Sequence, residues 1–202
     1  MSRSSGSKVA PSPFIKTETG NVVSRQALIY GSQNIVLSGK SILAPNCVLR
    51  GDLRRVATSS SSTSGGGGGG GGGATVVIAM GKYCFVGEST ILRPCYKTYK
   101  GVFSYYPMKI GDYVTIGSTS IVEAASIGTG VEIGKNCIIG PLAILKDYCK
   151  INDGAVVGAG TIVPSLTEWS GSPARPIGQL PESTPEVAEA KAKAAYTSFK
   201  PE

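Results

Sequence analysis

The side chains that most often carry chemistry are unevenly spread over this chain of 202 residues, and histidine is missing altogether. A histidine general base and a metal centre built on imidazole nitrogens are therefore excluded. Cys47, Cys84, Cys95, Cys137 and Cys149 remain as nucleophiles or ligands. No two form a CxxC pair and the number is odd, which argues against disulfides or a thiolate metal site and fits a reducing compartment. Arg50-Gly51-Asp52 sets opposite charges two residues apart and reads either as an adhesion triplet or as a structural ion pair. The densest cluster runs from Cys95 to Lys109, where Tyr96, Tyr99, Phe103, Tyr105 and Tyr106 are interleaved with Lys97, Lys100 and Lys109. Exposed aromatic rings beside cations are typical of protein interfaces and of single-stranded nucleic-acid platforms. The alternative is that the segment folds back and its rings cover the protein's own surface. The candidate protein-binding residues are Tyr96, Lys97, Tyr99, Lys100, Phe103, Tyr105 and Tyr106; no catalytic, cofactor or metal residue is assigned.

The elements that position these residues follow from an internal repeat. A branched aliphatic residue returns every six positions through Ile127, Ile133, Ile139, Leu145, Ile151, Val157 and Val163, and Ile110, Ile116 and Val122 keep the period one residue out of phase. Six fits neither a helical face nor a simple alternating strand. The residue after the aliphatic is usually one that allows a tight turn, Gly111, Gly117, Gly128, Gly134, Gly140, Asn152 or Gly158; the tolerance of glycine for positive φ predicts corners there. Four positions after each aliphatic stands a modest side chain, among them Val114, Val131, Cys137, Ala143, Cys149, Ala155 and Thr161. Each hexad thus offers one large and one small residue to a shared interior. Strands this short bury a face only by winding into stacked coils. Cys47, Cys84, Cys137 and Cys149 all fall on the small position and read as core thiols.

Along the chain, residues 1–13 are expected to be disordered. Gly20-Asn21 marks a hairpin-type turn. Leu37, Leu43 and Leu49 open the repeat, and Met80, Val86 and Leu92 resume it. Between them, 56–77 is a low-complexity insertion holding the run Gly65 to Gly73; it lacks the GxxxxGK[ST] spacing of a phosphate loop and reads as a flexible excursion. Val163 to Pro176 reads as an irregular segment closing the last coil. Ser183 with Glu186 matches a capping box, so a helix is expected within 182–202, its stripe of Val187, Lys191, Ala195 and Phe199, joined by Ala188, Ala192 and Tyr196, lying on the β-domain of residues 14–181.

The charge of +7 and pI near 9.2 raise nucleic acid as a partner, but the basic residues are scattered, so the expectation is a solvated basic surface and no nucleic acid. The stretch Met1 to Pro13 is polar and holds no apolar segment long enough for a signal peptide or a membrane span. The Ser-rich basic start weakly resembles a mitochondrial presequence, against which Pro11 and Pro13 argue.

The hexad pattern resembles the left-handed parallel β-helix family, in which three hexapeptides make one triangular coil; the expected fold is all-β with a short C-terminal helix. Arg50-Gly51-Asp52, Met80-Gly81 and Ile110-Gly111-Asp112-Tyr113-Val114-Thr115-Ile116-Gly117 look like the gamma-class carbonic anhydrases. In that family the ligand histidines stand where this chain has Arg93, Ser118 and Glu123, and a glutamine stands at Gly87, so the resemblance implies a scaffold without its active site. More specifically, Thr17-Glu18-Thr19-Gly20-Asn21-Val22-Val23-Ser24-Arg25-Gln26, Gly31-Ser32-Gln33-Asn34-Ile35-Val36-Leu37 and Ser170-Gly171-Ser172-Pro173 resemble the dynactin subunit 5 family, over roughly residues 14 to 200 apart from the insertion. The first two strings hold residues that the hexad rule does not demand.

That resemblance implies a non-catalytic β-helical subunit of the pointed-end complex of dynactin, the cofactor of cytoplasmic dynein. The implied partners are dynactin subunit 6, dynactin subunit 4, a pointed-end actin-related protein and the cargo adaptors of dynein, including those of early endosomes. The implied place is the cytoplasm, on the microtubule cytoskeleton. The other readings are a hexapeptide-repeat acyltransferase and an inactive carbonic-anhydrase-like subunit of a mitochondrial complex.

Overall fold

A computed structural model describes residues 12–54, 76–99 and 101–200, with the backbone alone at Tyr99 and Val102. The glycine run, most of the expected disordered start and Lys100 lie outside the described residues.

Short strands stack into three sheets that form the faces of a triangular prism. The first face contains Val22–Ser24, Ile42–Leu43, Phe85–Val86, Thr115–Ile116, Glu132–Ile133, Lys150–Ile151 and Thr167–Ser170, all parallel. Antiparallel strands Phe14–Lys16 and Arg175–Gln179 close its two ends. The second face runs from Leu28–Tyr30 through Val48–Arg50, Ile91–Leu92, Ile121–Val122 and Ile138–Ile139 to Val156–Val157. The third begins with Ile35–Gly39, Ile78–Lys82 and Met108–Ile110 and ends with Ser126–Ile127, Ile144–Leu145 and Ile162–Val163. Every sixth-position aliphatic from Ile110 to Val163 is buried, and so are the small residues from Val114 to Ala155. Large and small side chains alternate around the prism and fill one continuous core.

The corners work differently from the glycine expectation. The glycines that follow the aliphatics are absent from the positive-φ residues; positive φ falls two positions later, at Tyr83, Tyr113, Thr119, Gly130, Asn136, Leu142, Tyr148, Gly154, Gly160 and Leu166. There the left-handed residue turns the chain so that the following small residue points inward. Glycine or asparagine takes that conformation readily; Tyr113 at φ 58 and Leu142 at φ 62 hold it at a cost of about 1–2 kcal/mol each, because the stacked coils leave no alternative. The glycine after the aliphatic is required by close approach. A Cβ on Gly117 would lie 2.5 Å from the carbonyl carbon and oxygen of Gly134 in the next coil.

At the small position of the hexad the buried hydroxyls are satisfied across coils. Thr90 Oγ1 donates to the Gly117 carbonyl at 2.8 Å and Ser120 Oγ to that of Gly134 at 2.9 Å. Desolvation pushes the core thiols up, Cys47 and Cys84 to about 11 and Cys149 to about 12. All five cysteines are free and buried.

Three further expectations need correction. Val163 to Pro176 is not irregular: Trp169 falls six residues after Val163, is buried, and makes Thr167–Ser170 one more strand of the first face. The capping box does not form, since Ser183 itself has helical backbone angles and its side chain makes no cap bond. Thr184 Oγ1 instead donates to the Pro181 carbonyl at 2.6 Å. The helix α1, Thr184–Ser198, lies against the first face on only part of the expected stripe. Val187, Lys191 and Ala195 are exposed, whereas Ala192 is buried and Ala188, Tyr196 and Phe199 are half-buried. Tyr196 donates to the Gly20 carbonyl at 2.6 Å, Lys191 reaches Glu132 at 2.8 Å, and Phe199 meets Phe14 edge-on. These anchors select the face.

Candidate docking surface

The corner between the second and third faces is where the chain departs most from its repeat. In the first coil it is made by Gly31 and the turn Ser32–Asn34, whose buried Asn34 amide donates to the Gly51 carbonyl at 2.8 Å. In the second coil the 56–77 insertion leaves it, although Val77 is already back in the core. In the third coil the Cys95 to Lys109 segment leaves it. In the fourth, Val122 and Ile127 are only five apart, and the shortened corner is Glu123-Ala124-Ala125. The one-residue phase shift in the sequence is this deletion.

The strand ends at this corner form a polar column. Arg50 makes a bidentate pair with Asp52 at 2.7 and 2.8 Å and lies over the Tyr30 ring, 5.4 Å from its centroid. The shared hydrogen bonds raise the arginine's pKa above its ordinary value and hold the aspartate's below it. The triplet is thus an internal ion pair. One coil on, Arg93 pairs with Glu123, whose residue is only 8% exposed. A guanidinium beside a largely buried carboxylate does not fit a metal site. Ser118 and Gly87 follow strands of the first face and stand at a different corner, so the four positions are not brought together. No group of three or more Cys, Asp or Glu side chains converges among the described residues.

Above this column the tyrosine-rich segment is a β-hairpin, Tyr96–Tyr99 with Val102–Tyr105, and not an irregular loop. Its register places Tyr96 opposite Tyr105 and Thr98 opposite Phe103. Strand alternation therefore puts Tyr96, Phe103 and Tyr105 on one side and Lys97 and Ser104 on the other. The three rings pack on one another: Tyr96 stacks on Phe103 at 5.3 Å and Phe103 meets Tyr105 edge-on at 4.9 Å. Tyr96 and Phe103 remain 42% and 43% exposed, while Ser104 is buried. The backbone of Tyr106, half-buried, donates to the Cys95 carbonyl at 2.8 Å and closes the base of the hairpin. Lys97 is exposed. The sequence reading missed Arg50 as a neighbour of Tyr105, Tyr30 beneath it, and Arg93 at the equivalent place one coil on. The shared +1 position after successive aliphatics, at Arg50 and Arg93, was the available signal.

These features define a class of protein first. The chain is a hexapeptide-repeat prism, and its fold matches a solved hexapeptide transferase family protein of Anaplasma phagocytophilum with a TM-score of 0.57 over 88% of this chain and 89% of that one. At 19% identity that likeness concerns the fold alone, the left-handed parallel β-helix. The particular family comes from the sequence: a model of the dynactin subunit 5 family matches residues 7–63 and 71–202, and the chain belongs to that family. Dynactin subunit 5 of Dictyostelium discoideum is 35% identical over 118 residues, 58% of this chain and 48% of that protein. A mitochondrial gamma carbonic anhydrase 1 of Arabidopsis thaliana is 22% identical over 163 residues, 79% of this chain and 50% of that protein. The chain spans about half the length of these curated relatives. No helix among the described residues is long and apolar enough to cross a membrane.

Proposed function

We propose that this chain is a non-catalytic subunit of the dynactin pointed-end complex and that its aromatic hairpin is a protein contact. The proposed neighbours are dynactin subunit 6, dynactin subunit 4 and a pointed-end actin-related protein. Cargo adaptors of cytoplasmic dynein, including those of early endosomes, engage the same end, and the protein works in the cytoplasm on the microtubule cytoskeleton. Family membership supports the dynactin role. The observation that carries the docking role is the hairpin itself, whose three rings pack on one another and leave two of them more than two-fifths exposed. Rings held by a closed hairpin lose little conformational freedom on binding, which favours them as anchors. The Arg93–Glu123 pair ties up the one carboxylate among the positions that match the carbonic-anhydrase ligands.

The test is the variant Tyr96→Ser/Phe103→Ser/Tyr105→Ser. Pull-down of pointed-end subunits or adaptors should fall at least tenfold while the circular dichroism spectrum stays unchanged. Undiminished recovery refutes the hairpin contact.

A further inference from the structure

The outward residues of the three faces differ in kind. On the first face they are Ile42, Phe85, Thr115, Glu132, Lys150 and Glu168, and α1 lies over part of that row, with Lys191 on Glu132. On the third face Lys109 and Ser126 interrupt an otherwise apolar row. On the second face the register aligns Leu28, Val48, Ile91, Ile121, Ile138 and Val156, aliphatic in every coil. Their inward neighbours from Leu49 to Val157 fill the core, so this row faces out, with Leu28 50% and Ile138 45% exposed. No described element of the chain covers it. The row is aliphatic in every coil, exposed at Leu28, Ile121 and Ile138 and half-buried at Val48, Ile91 and Val156, and a contiguous apolar surface of this kind suits an interaction.

Size and charge select the occupant. Six strands spaced about 4.8 Å apart give a row about 24 Å long, and three residues along each coil, centred on the row, give it a width of about 10 Å. Two copies meeting through this row alone would bury only about 500 Å² together, well short of the roughly 1,200 Å² of a stable pair. An α-helix of about 16 residues is 24 Å long and about 10 Å across, which matches the row. The molecule already shows the arrangement, since the 15-residue α1 spans the first face from Gly20 to Glu132. That face meets α1 with charged residues; the second face offers none in the row. The occupant's contacting stripe is therefore aliphatic and uncharged.

We propose that the second face is the seat of an amphipathic α-helix from a partner protein, bordered at its edge by Tyr30, Arg50 and the aromatic hairpin. The inference rests on the docking role proposed above and gives it a second surface and a partner chemistry. It is a helix-in-groove contact, read through anchors at i, i+3, i+4 and i+7. Its small area makes it transient.

The probe is a fluorescein-labelled 18-residue synthetic peptide with leucines at that spacing on a Glu/Lys background, compared with a scrambled peptide of the same composition. Fluorescence anisotropy with the full chain should saturate for the first peptide and be at least tenfold weaker for the second. Ile121→Thr/Ile138→Thr keeps β-branching on outward positions and should weaken binding at least tenfold. Ile144→Thr/Ile162→Thr, on the third face, should leave it unchanged. Equal binding of the scrambled peptide, or equal loss in both double variants, overturns the proposal. So does sedimentation showing that the free chain is a dimer that Ile121→Thr/Ile138→Thr dissolves, because the occupant is then a second copy. If the wild-type chain recovers no dynactin subunits from cytosol, the dynactin reading fails while this peptide result stands on its own.

Discussion

Substituting alanine for glycine at two equivalent positions separates close approach from backbone conformation as the reason for the corner glycines. Gly117 and Gly158 both follow a buried aliphatic, and neither has positive φ. A Cβ on Gly117 would meet the Gly134 carbonyl carbon and oxygen at 2.5 Å and the Lys135 nitrogen at 2.6 Å, where ordinary contact begins near 3.4 Å. These are backbone atoms of a coil held by ladder bonds such as Gly117 N to the Ile133 carbonyl at 2.8 Å, so they cannot step aside. Overpacking costs about 1–3 kcal/mol, and an immovable neighbour puts Gly117→Ala near the upper end, about 3 kcal/mol. A Cβ on Gly158, in the last coil, meets only Thr161 Oγ1 at 3.4 Å. Gly158→Ala should therefore be neutral or stabilise by up to about 1 kcal/mol through the unfolded chain. In thermal unfolding followed by circular dichroism, about 3 kcal/mol corresponds to a Tm lowered by about 6–12 °C for Gly117→Ala. Equal losses at both positions would refute the close-approach account.

Arg93→Ala leaves the largely buried Glu123 carboxylate unpaired and should cost about 1–3 kcal/mol in chemical denaturation, more than Arg93→Ala/Glu123→Ala; a larger loss in the double variant would contradict this. The raised thiols of Cys47, Cys84 and Cys149 keep their protons in the folded state above the unfolded value of 9.0. The unfolded chain thus binds fewer protons there, and the thiol contribution to stability is flat below about pH 9 and falls as pH rises towards 11–12; denaturation midpoints from pH 7 to 11 measure it, and native thiols should resist iodoacetamide at pH 8. Tyr196→Phe removes the bond to the Gly20 carbonyl and should cost about 1 kcal/mol, with faster amide exchange along α1.

Much of this fold was legible because the hexad rule is local. One aliphatic and one small residue per six specify a coil whatever lies around it, and the buried rows from Ile110 to Val163 follow that spacing. Two things were hidden because they depend on contacts distant in sequence. The need for Gly117 is set by Gly134 in the next coil, not by its own dihedrals. The face that α1 buries is chosen by Gly20 and Phe14, over 170 residues before their partners Tyr196 and Phe199. Trp169 kept the period but was read with the prolines that follow it. At the candidate surface the aromatic cluster stood out in composition, yet its two-sidedness required the pairing of Tyr96 with Tyr105. The Arg93–Glu123 pair joins residues 30 apart that only stacked coils bring together.

The most direct test of the dynactin assignment is a native pull-down of the tagged full chain from cytosol at moderate salt, read by mass spectrometry. Recovery of an actin-related protein together with a second hexapeptide-repeat subunit is the predicted result. Recovery of the chain alone, or only with copies of itself, would contradict it.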